Sequence, residues 1–208
     1  MRIESLSNAP DRAGRYRVIF EDGSVMRLYR QTVEDFSLYT GLELTQEQFR
    51  KLQDAAGEMS AKMRAVRIVA ASSVSKKDLE QRLIHKGEAP ENAKMAVAWM
   101  EDLSLIDDAK TAQQVVSQCI AKGYGIARAK QALYEKRIPK AFWDDALADY
   151  PDQGEKILAF LQSRLDGNSD AKEIKRAVDA LMRRGHSYAQ IRRALDRITV
   201  DCGDFPED

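Results

Sequence analysis

Ala177-Val178-Asp179-Ala180-Leu181-Met182-Arg183-Arg184-Gly185-His186-Ser187-Tyr188-Ala189-Gln190-Ile191 is the stretch on which the fold turns. Ala177 and Leu181 lie four residues apart on one helical face. The pattern then runs into two arginines, which suit the negative end of a helix dipole, and into Gly185, which suits the left-handed position beyond a helix. After the break at Gly185 to Ser187 a second stripe follows: Ile191, Ala194, Leu195 and Ile198. The same pattern occurs 98 residues earlier, with Leu79 and Leu83, then Gly87, then Ala93, Ala96, Val97 and Met100. An offset of 50 from that copy gives Ala129 and Leu133, then Trp143, Ala146, Leu147 and Tyr150, with Arg137 where the other copies place the glycine. The chain therefore reads as three copies of one small helical unit.

A third helix is expected after each of the first two pairs. Residues 108–122 carry Ala109, Ala112, Val115, Val116, Cys119 and Ile120 at helical spacing, and residues 155–165 carry Ile157, Leu158, Leu161 and Leu165. The last copy leaves no room for one, and the chain closes on acidic residues. Units of this size hold a barely sufficient core, so neighbours are expected to bury surface on one another. The expected fold class is mainly α: tandem three-helix repeats forming an elongated, curved body, preceded by a small β-hairpin and a helix. The expected divisions are 1–71, 72–122, 123–169 and 170–208.

Only the N-terminal segment reads as β. Tyr16 to Phe20 and Ser24 to Tyr29 are rich in β-branched and aromatic residues, and Asp22-Gly23 between them favours a tight turn. A lone hairpin is marginal in water, so it needs support. The segment after Thr45 supplies it. Thr45 and Gln48 form a capping-box signature, and Phe49, Leu52, Ala56, Met59, Met63 and Val66, then Val69 or Ala70, mark a long amphipathic helix. Residues 32–39 predict a short helix ended by Gly41.

Composition narrows the function. The 208 residues are 44% hydrophobic with 33 basic and 33 acidic side chains, a balance that argues against coating nucleic acid by bulk charge. No run has the ~18 apolar residues of a membrane helix, and no signal peptide is read, so a soluble, intracellular protein is expected. Cys119 and Cys202 form no metal or disulfide pattern, and Cys119 reads as a buried small hydrophobe. His85 and His186 fall at corresponding places between helices, which repeat position explains better than catalysis does. Phosphate-loop, dinucleotide and hydrolase motifs are absent. The acidic groups Glu101-Asp102 with Asp107-Asp108, and Asp144-Asp145 with Asp149, read as solvated faces and helix N-terminal charges rather than as a metal site. No catalytic residue, metal or cofactor is expected.

The basic residues are unevenly placed. Residues 122–140 hold Lys122, Arg128, Lys130, Lys136, Arg137 and Lys140 against Glu135 alone, and residues 172–197 hold eight basic side chains against Glu173, Asp179 and Asp196. Positive stretches on successive modules suit an anionic polymer or an acidic protein groove.

At these residues the chain resembles the RecX family, bacterial proteins that regulate the RecA recombinase. The resemblance rests on the leucine-spaced helix closing in Lys86-Gly87, on Leu103-x-Leu105-Ile106-Asp107-Asp108, on Lys122-Gly123, and on Leu181-Met182-Arg183-Arg184-Gly185-His186-Ser187-Tyr188-x-x-Ile191, covering about residues 72–200. It departs at Ala71-Ser72-Ser73-Val74-Ser75, where the family often has Arg and an aromatic before the serine, and at Arg137. The resemblance implies a cytoplasmic, monomeric, non-enzymatic modulator. Such a protein lodges in the groove of the RecA filament on single-stranded DNA and lowers ATP hydrolysis, strand exchange and SOS repressor cleavage. Charge position selects Arg82, Lys86, Arg128, Lys130, Lys136, Arg137, Arg183, Arg184, Arg192 and Arg193 as contacts with RecA or its DNA. The competing reading is a helical DNA-binding module whose basic stripes engage phosphates directly.

Overall fold

The computed structural model describes residues 1–165 and 169–198. Cys202 and the acidic close of the chain lie outside them. The chain divides into two compact units, Met1–Asp107 and Asp108–Asp208.

In the first unit the expected hairpin forms from β2 (Arg15–Phe20) and β3 (Val25–Tyr29), which pair antiparallel with Ile19 opposite Val25. Gly23 takes the left-handed backbone that the turn demands, at φ +79°. A strand with no sequence signal of its own, β1 (Ile3–Leu6), adds to β2 and makes the order β1-β2-β3. Only Ile3 of its four residues is buried, so it carries no legible alternation. One face of the sheet, with Ile3, Val18, Phe20 and Leu28, packs with Leu38, Leu44 and Leu52. Phe20 meets Phe49 edge to face at 5.1 Å.

The short helix begins earlier and ends sooner than expected. It is α1 (Arg30–Asp35), and the chain turns at Ser37, at φ +47°, before Gly41 is reached. The long helix α2 (Gln46–Ala71) starts at the capping box read from the sequence. Thr45 Oγ1 accepts from the Gln48 amide at 3.2 Å, and Gln48 Oε1 accepts from the Thr45 amide at 2.8 Å. Its first half serves the sheet. Its second half joins α3 (Lys76–His85) and α4 (Pro90–Asp102) in a separate core of Ala61, Ala65, Ile68, Leu79, Leu83, Ala93, Ala96, Met100 and Ile106. Met59 and Met63, expected inward, are only half-buried. The small side chains Ala61 and Ala65 take the core position among Ala93 and Ala96, where two helices pack without large side chains between them.

The second unit holds two cores. In one, α5 (Asp108–Ala121), α6 (Ile126–Glu135), a 3-10 turn (Lys140–Phe142) and α7 (Trp143–Leu147) bury Ala112, Val115, Val116, Cys119, Ala129, Leu133, Ile138 and Leu147. In the other, α8 (Gly154–Gln162), α9 (Ala171–Arg183) and α10 (Tyr188–Arg197) bury Ile157, Leu158, Leu161, Leu165, Ile174, Ala177, Leu181, Ile191 and Ala194. The helix at 108–121 therefore packs with the pair that follows it, not with the pair before it, and 154–162 does the same. The last pair has its third helix upstream, so it is not short of one. An apolar stripe fixes which face of a helix needs cover, while short connections on both sides leave the covering neighbour open.

Leu83, Leu133 and Leu181 occupy matching places in these three helical cores. Each leucine's carbonyl accepts from the amide five residues on: Glu88 at 3.1 Å, Ile138 at 3.1 Å and His186 at 3.3 Å. The residue between is left-handed each time: Gly87 at φ +90°, Arg137 at φ +55° and Gly185 at φ +84°. This is the glycine-type helix ending anticipated from Leu181 to Gly185, and the second copy forms it with arginine.

Candidate functional site

The two cores of the second unit meet backbone to backbone. The Gly125 amide donates to the Arg184 carbonyl at 2.9 Å, and Nε2 of the buried His186 lies 3.0 Å from the Gly123 carbonyl. A carbonyl only accepts, so the neutral ring carries its proton on Nε2. Burial depresses the His186 pKa, the Gly123 bond opposes this, and the Arg184 charge depresses it further. His85, by contrast, is exposed at the end of α3, so the two histidines do not share an environment.

Glycine is required on both sides of this joint. A Cβ on Gly125 would lie 2.0 Å from the Gly185 carbonyl oxygen, and one on Gly185 would lie 2.3 Å from the Arg128 amide nitrogen. One further bond braces it: Lys156 Nζ donates to the Ile120 carbonyl at 2.5 Å. On the α5–α7 side, the Tyr150 hydroxyl donates to the Tyr124 carbonyl at 2.7 Å and ties the segment before α6 to its own core. Burial pushes the Tyr150 phenol up to about 12, with the charge of Cys119 adding to it.

This crossing holds open a cleft of about 480 Å³. Its walls are Lys122, Tyr124 and Arg128 from one side and Ala180, Arg183 and Arg184 from the other. Four lining side chains are cationic and none is acidic. Lys122 and Arg183 are exposed, whereas Arg128, Arg184 and Tyr124 are half-buried. The Arg184 guanidinium lies 4.4 Å from the centre of the Phe160 ring, and Arg164 lies 5.1 Å from the same ring. Arg128 Nη1 donates to Glu135 at 2.9 Å, and the Gln131 amide donates to the same carboxylate oxygen at 3.2 Å. Those bonds, led by that from Arg128, hold the Glu135 carboxyl below its ordinary range.

Of the ten residues chosen from sequence, the structure brings Arg128, Arg183 and Arg184 together around the cleft. Lys130 is exposed on α6, and Lys136 and Arg137 follow the end of that helix. Arg192 is exposed on α10, and Arg193 lines a smaller cavity of about 180 Å³ with Asp152, Gln190 and Arg197. Arg82 and Lys86 belong to the first unit, where Arg82 pairs with Asp78 at 2.9 Å and the Lys86 carbonyl accepts from Arg64 at 2.5 Å. Lys122, Tyr124 and Phe160 were not among the ten. Lys122 had a signal in the Lys122-Gly123 pair, but the aromatic residues had none, because only the fold places them beside arginines.

Cys119 is buried as expected. Desolvation raises its thiol pKa, while Arg128 and Lys122 partly offset that. Glu101 is tied to Lys76 at 2.8 Å, Asp144, Asp145 and Asp149 are exposed, and Asp108 is buried at the start of α5. Among the described residues, no group of three or more His, Cys, Asp or Glu is placed to hold a metal ion. No helix among them is long and apolar enough to cross a membrane.

Fold and cleft together define a class: tandem three-helix modules carrying a cationic seat. Residues 107–147 match the family model described as RecX, second three-helix domain. The chain is 31% identical to the regulatory protein RecX of Vibrio campbellii, over 71% of this chain and 96% of that protein. It is 24% identical to the regulatory protein RecX of Clostridioides difficile, over 95% and 94%. A crystal structure of a regulatory protein RecX shares the fold at a TM-score of 0.64 and 20% identity, over 94% of this chain and 98% of that one. That of RecX from Lactobacillus salivarius does so at a TM-score of 0.60 and 21% identity, over 69% and 97%. The chain belongs to the RecX family of regulatory proteins.

Proposed function

We propose that this chain is a non-catalytic regulator that binds the RecA filament on single-stranded DNA and mainly inhibits its ATP hydrolysis, strand exchange and SOS co-protease activity. It acts in the cytoplasm, as a monomer, and without a cofactor. Membership of a family of regulatory proteins, over nearly the whole length of a relative, carries this reading. Three helical cores in one chain support it, because linked modules bind an extended partner with added avidity. The ten basic residues chosen from sequence are the proposed contacts, with Arg128, Arg183 and Arg184 foremost because they converge.

The test is addition of the purified chain to preformed RecA filaments. ATP turnover and strand exchange fall as the chain approaches the RecA concentration, and filaments shorten when imaged. Unchanged rates and lengths with the chain in excess reject the reading.

A further inference from the structure

We infer that the cleft between α6 and α9 is a seat for the phosphodiester backbone of single-stranded DNA, and that Glu135 is its resident counter-ion, displaced from Arg128 when the strand enters. The inference rests on the regulator reading only in naming DNA as the ligand; the cleft's chemistry stands on its own.

The lining sets four cations against no carboxylate. One carboxylate, Glu135, has already come to its edge and bonds Arg128 at 2.9 Å, so an oxyanion is accepted there even with solvent competing. That single charge leaves an excess that a polymer with one charge per unit matches better than an isolated anion. Three of the four cations are arginines, whose forked N–H groups fit the paired oxygens of a phosphate. Arg184 is steadied against Phe160, which fixes the plane of its fork. Tyr124 stands in the wall, and an aromatic side chain beside a cationic groove suits unpaired bases free to stack, which a duplex does not offer. The glycine crossing holds the two walls in register, so the seat exists before the ligand arrives.

Glu135 then tunes affinity. A strand that takes Arg128 must break the Arg128–Glu135 pair and place its phosphate near a carboxylate. Removing that charge, with the amide kept in place, strengthens binding, the reverse of what loss of a structural ion pair does.

The experiment measures fluorescence anisotropy of a labelled oligothymidylate with the full chain at low salt and without RecA. The wild-type chain binds. R183E/R184E weakens binding by about tenfold or more, and lowers the log–log salt slope by about 1.4, at about 0.7 for each phosphate that is no longer neutralised. E135Q tightens binding by about threefold. Because a misfolded chain does not bind more tightly, the gain in E135Q guards against loss of fold in the double variant. R50E/K51E, the same four-unit charge change at two exposed residues of α2 in the first unit, measures the effect of bulk charge. Wild-type affinity in R183E/R184E, a loss equalled by R50E/K51E, or weakened binding in E135Q overturns the inference. So does displacement of the oligonucleotide by polyglutamate at equal charge concentration, which assigns the cleft to an acidic protein surface. A chain that slows RecA turnover yet binds no oligonucleotide rejects the cleft and keeps the regulator reading; oligonucleotide binding without any effect on RecA does the opposite.

Discussion

Gly87 and Gly185 end equivalent helices with nearly the same backbone, at φ +90° and φ +84°, yet they live in different surroundings. A Cβ on Gly87 would meet nothing within 4 Å, whereas one on Gly185 would strike the start of α6. The first is glycine because of its own torsion. The second is glycine because of its torsion and because a neighbouring module occupies the space. A repeated motif thus keeps its local geometry while one copy acquires a second task, and the cationic cleft lies beside that copy.

The largest effect that tests this contrast is expected from G185A and G125A. Each places a carbon against backbone that cannot swing aside, and each is expected to cost about 3 kcal/mol or more of the second unit's stability, read by hydrogen exchange of its peptides under denaturant. A cost below about 1 kcal/mol would remove the difference between the corners. Next come L83A, L133A and L181A, each expected to lose about 3 kcal/mol from its own core because the three leucines are almost fully buried. A mild result at any one of them would show that the copies are not energetic equivalents. G87A is smaller, about 1 kcal/mol, since torsion alone opposes it. R137G at the second corner is expected to gain up to about 1 kcal/mol by relieving φ +55°, less whatever the side chain's own interactions contribute.

The gentlest perturbation is pH. His186 has a depressed pKa in the folded chain, so the unfolded chain binds its proton more readily. The stability this residue confers is fully present above the unfolded value of about 6.5 and is lost as pH falls toward the depressed folded value. Urea midpoints of the wild-type chain should therefore decline below about pH 6.5, with a shallower decline in H186Q.

Much of the fold was legible because its signals are local. Asp22-Gly23 marked the turn, Thr45 and Gln48 the start of α2, and leucine with glycine the helix endings at Gly87 and Gly185, while the ending at Arg137 was placed by its offset from the other copies alone. The choice of partners was not legible. The stripe on 108–121 is equally apolar whichever pair covers it, and β1 is too short to alternate. At the site, the charge runs pointed to Arg128, Arg183 and Arg184, but nothing along the chain says that residues 56 positions apart face one cleft while Lys130 and Arg192 do not line it. That follows from a close crossing of two glycines, for which spacing has no signature.

The helix α2 belongs to two cores at once, giving Leu52 to the sheet and Ala61, Ala65 and Ile68 to the first helical module. Excision at residue 72, where the repeat pattern begins, would strip α3 and α4 of the rod they lean on and bare Leu79, Leu83 and Met100 to water. The sheet is welded to its neighbour by a common beam, and a viable fragment of this half must keep both or neither.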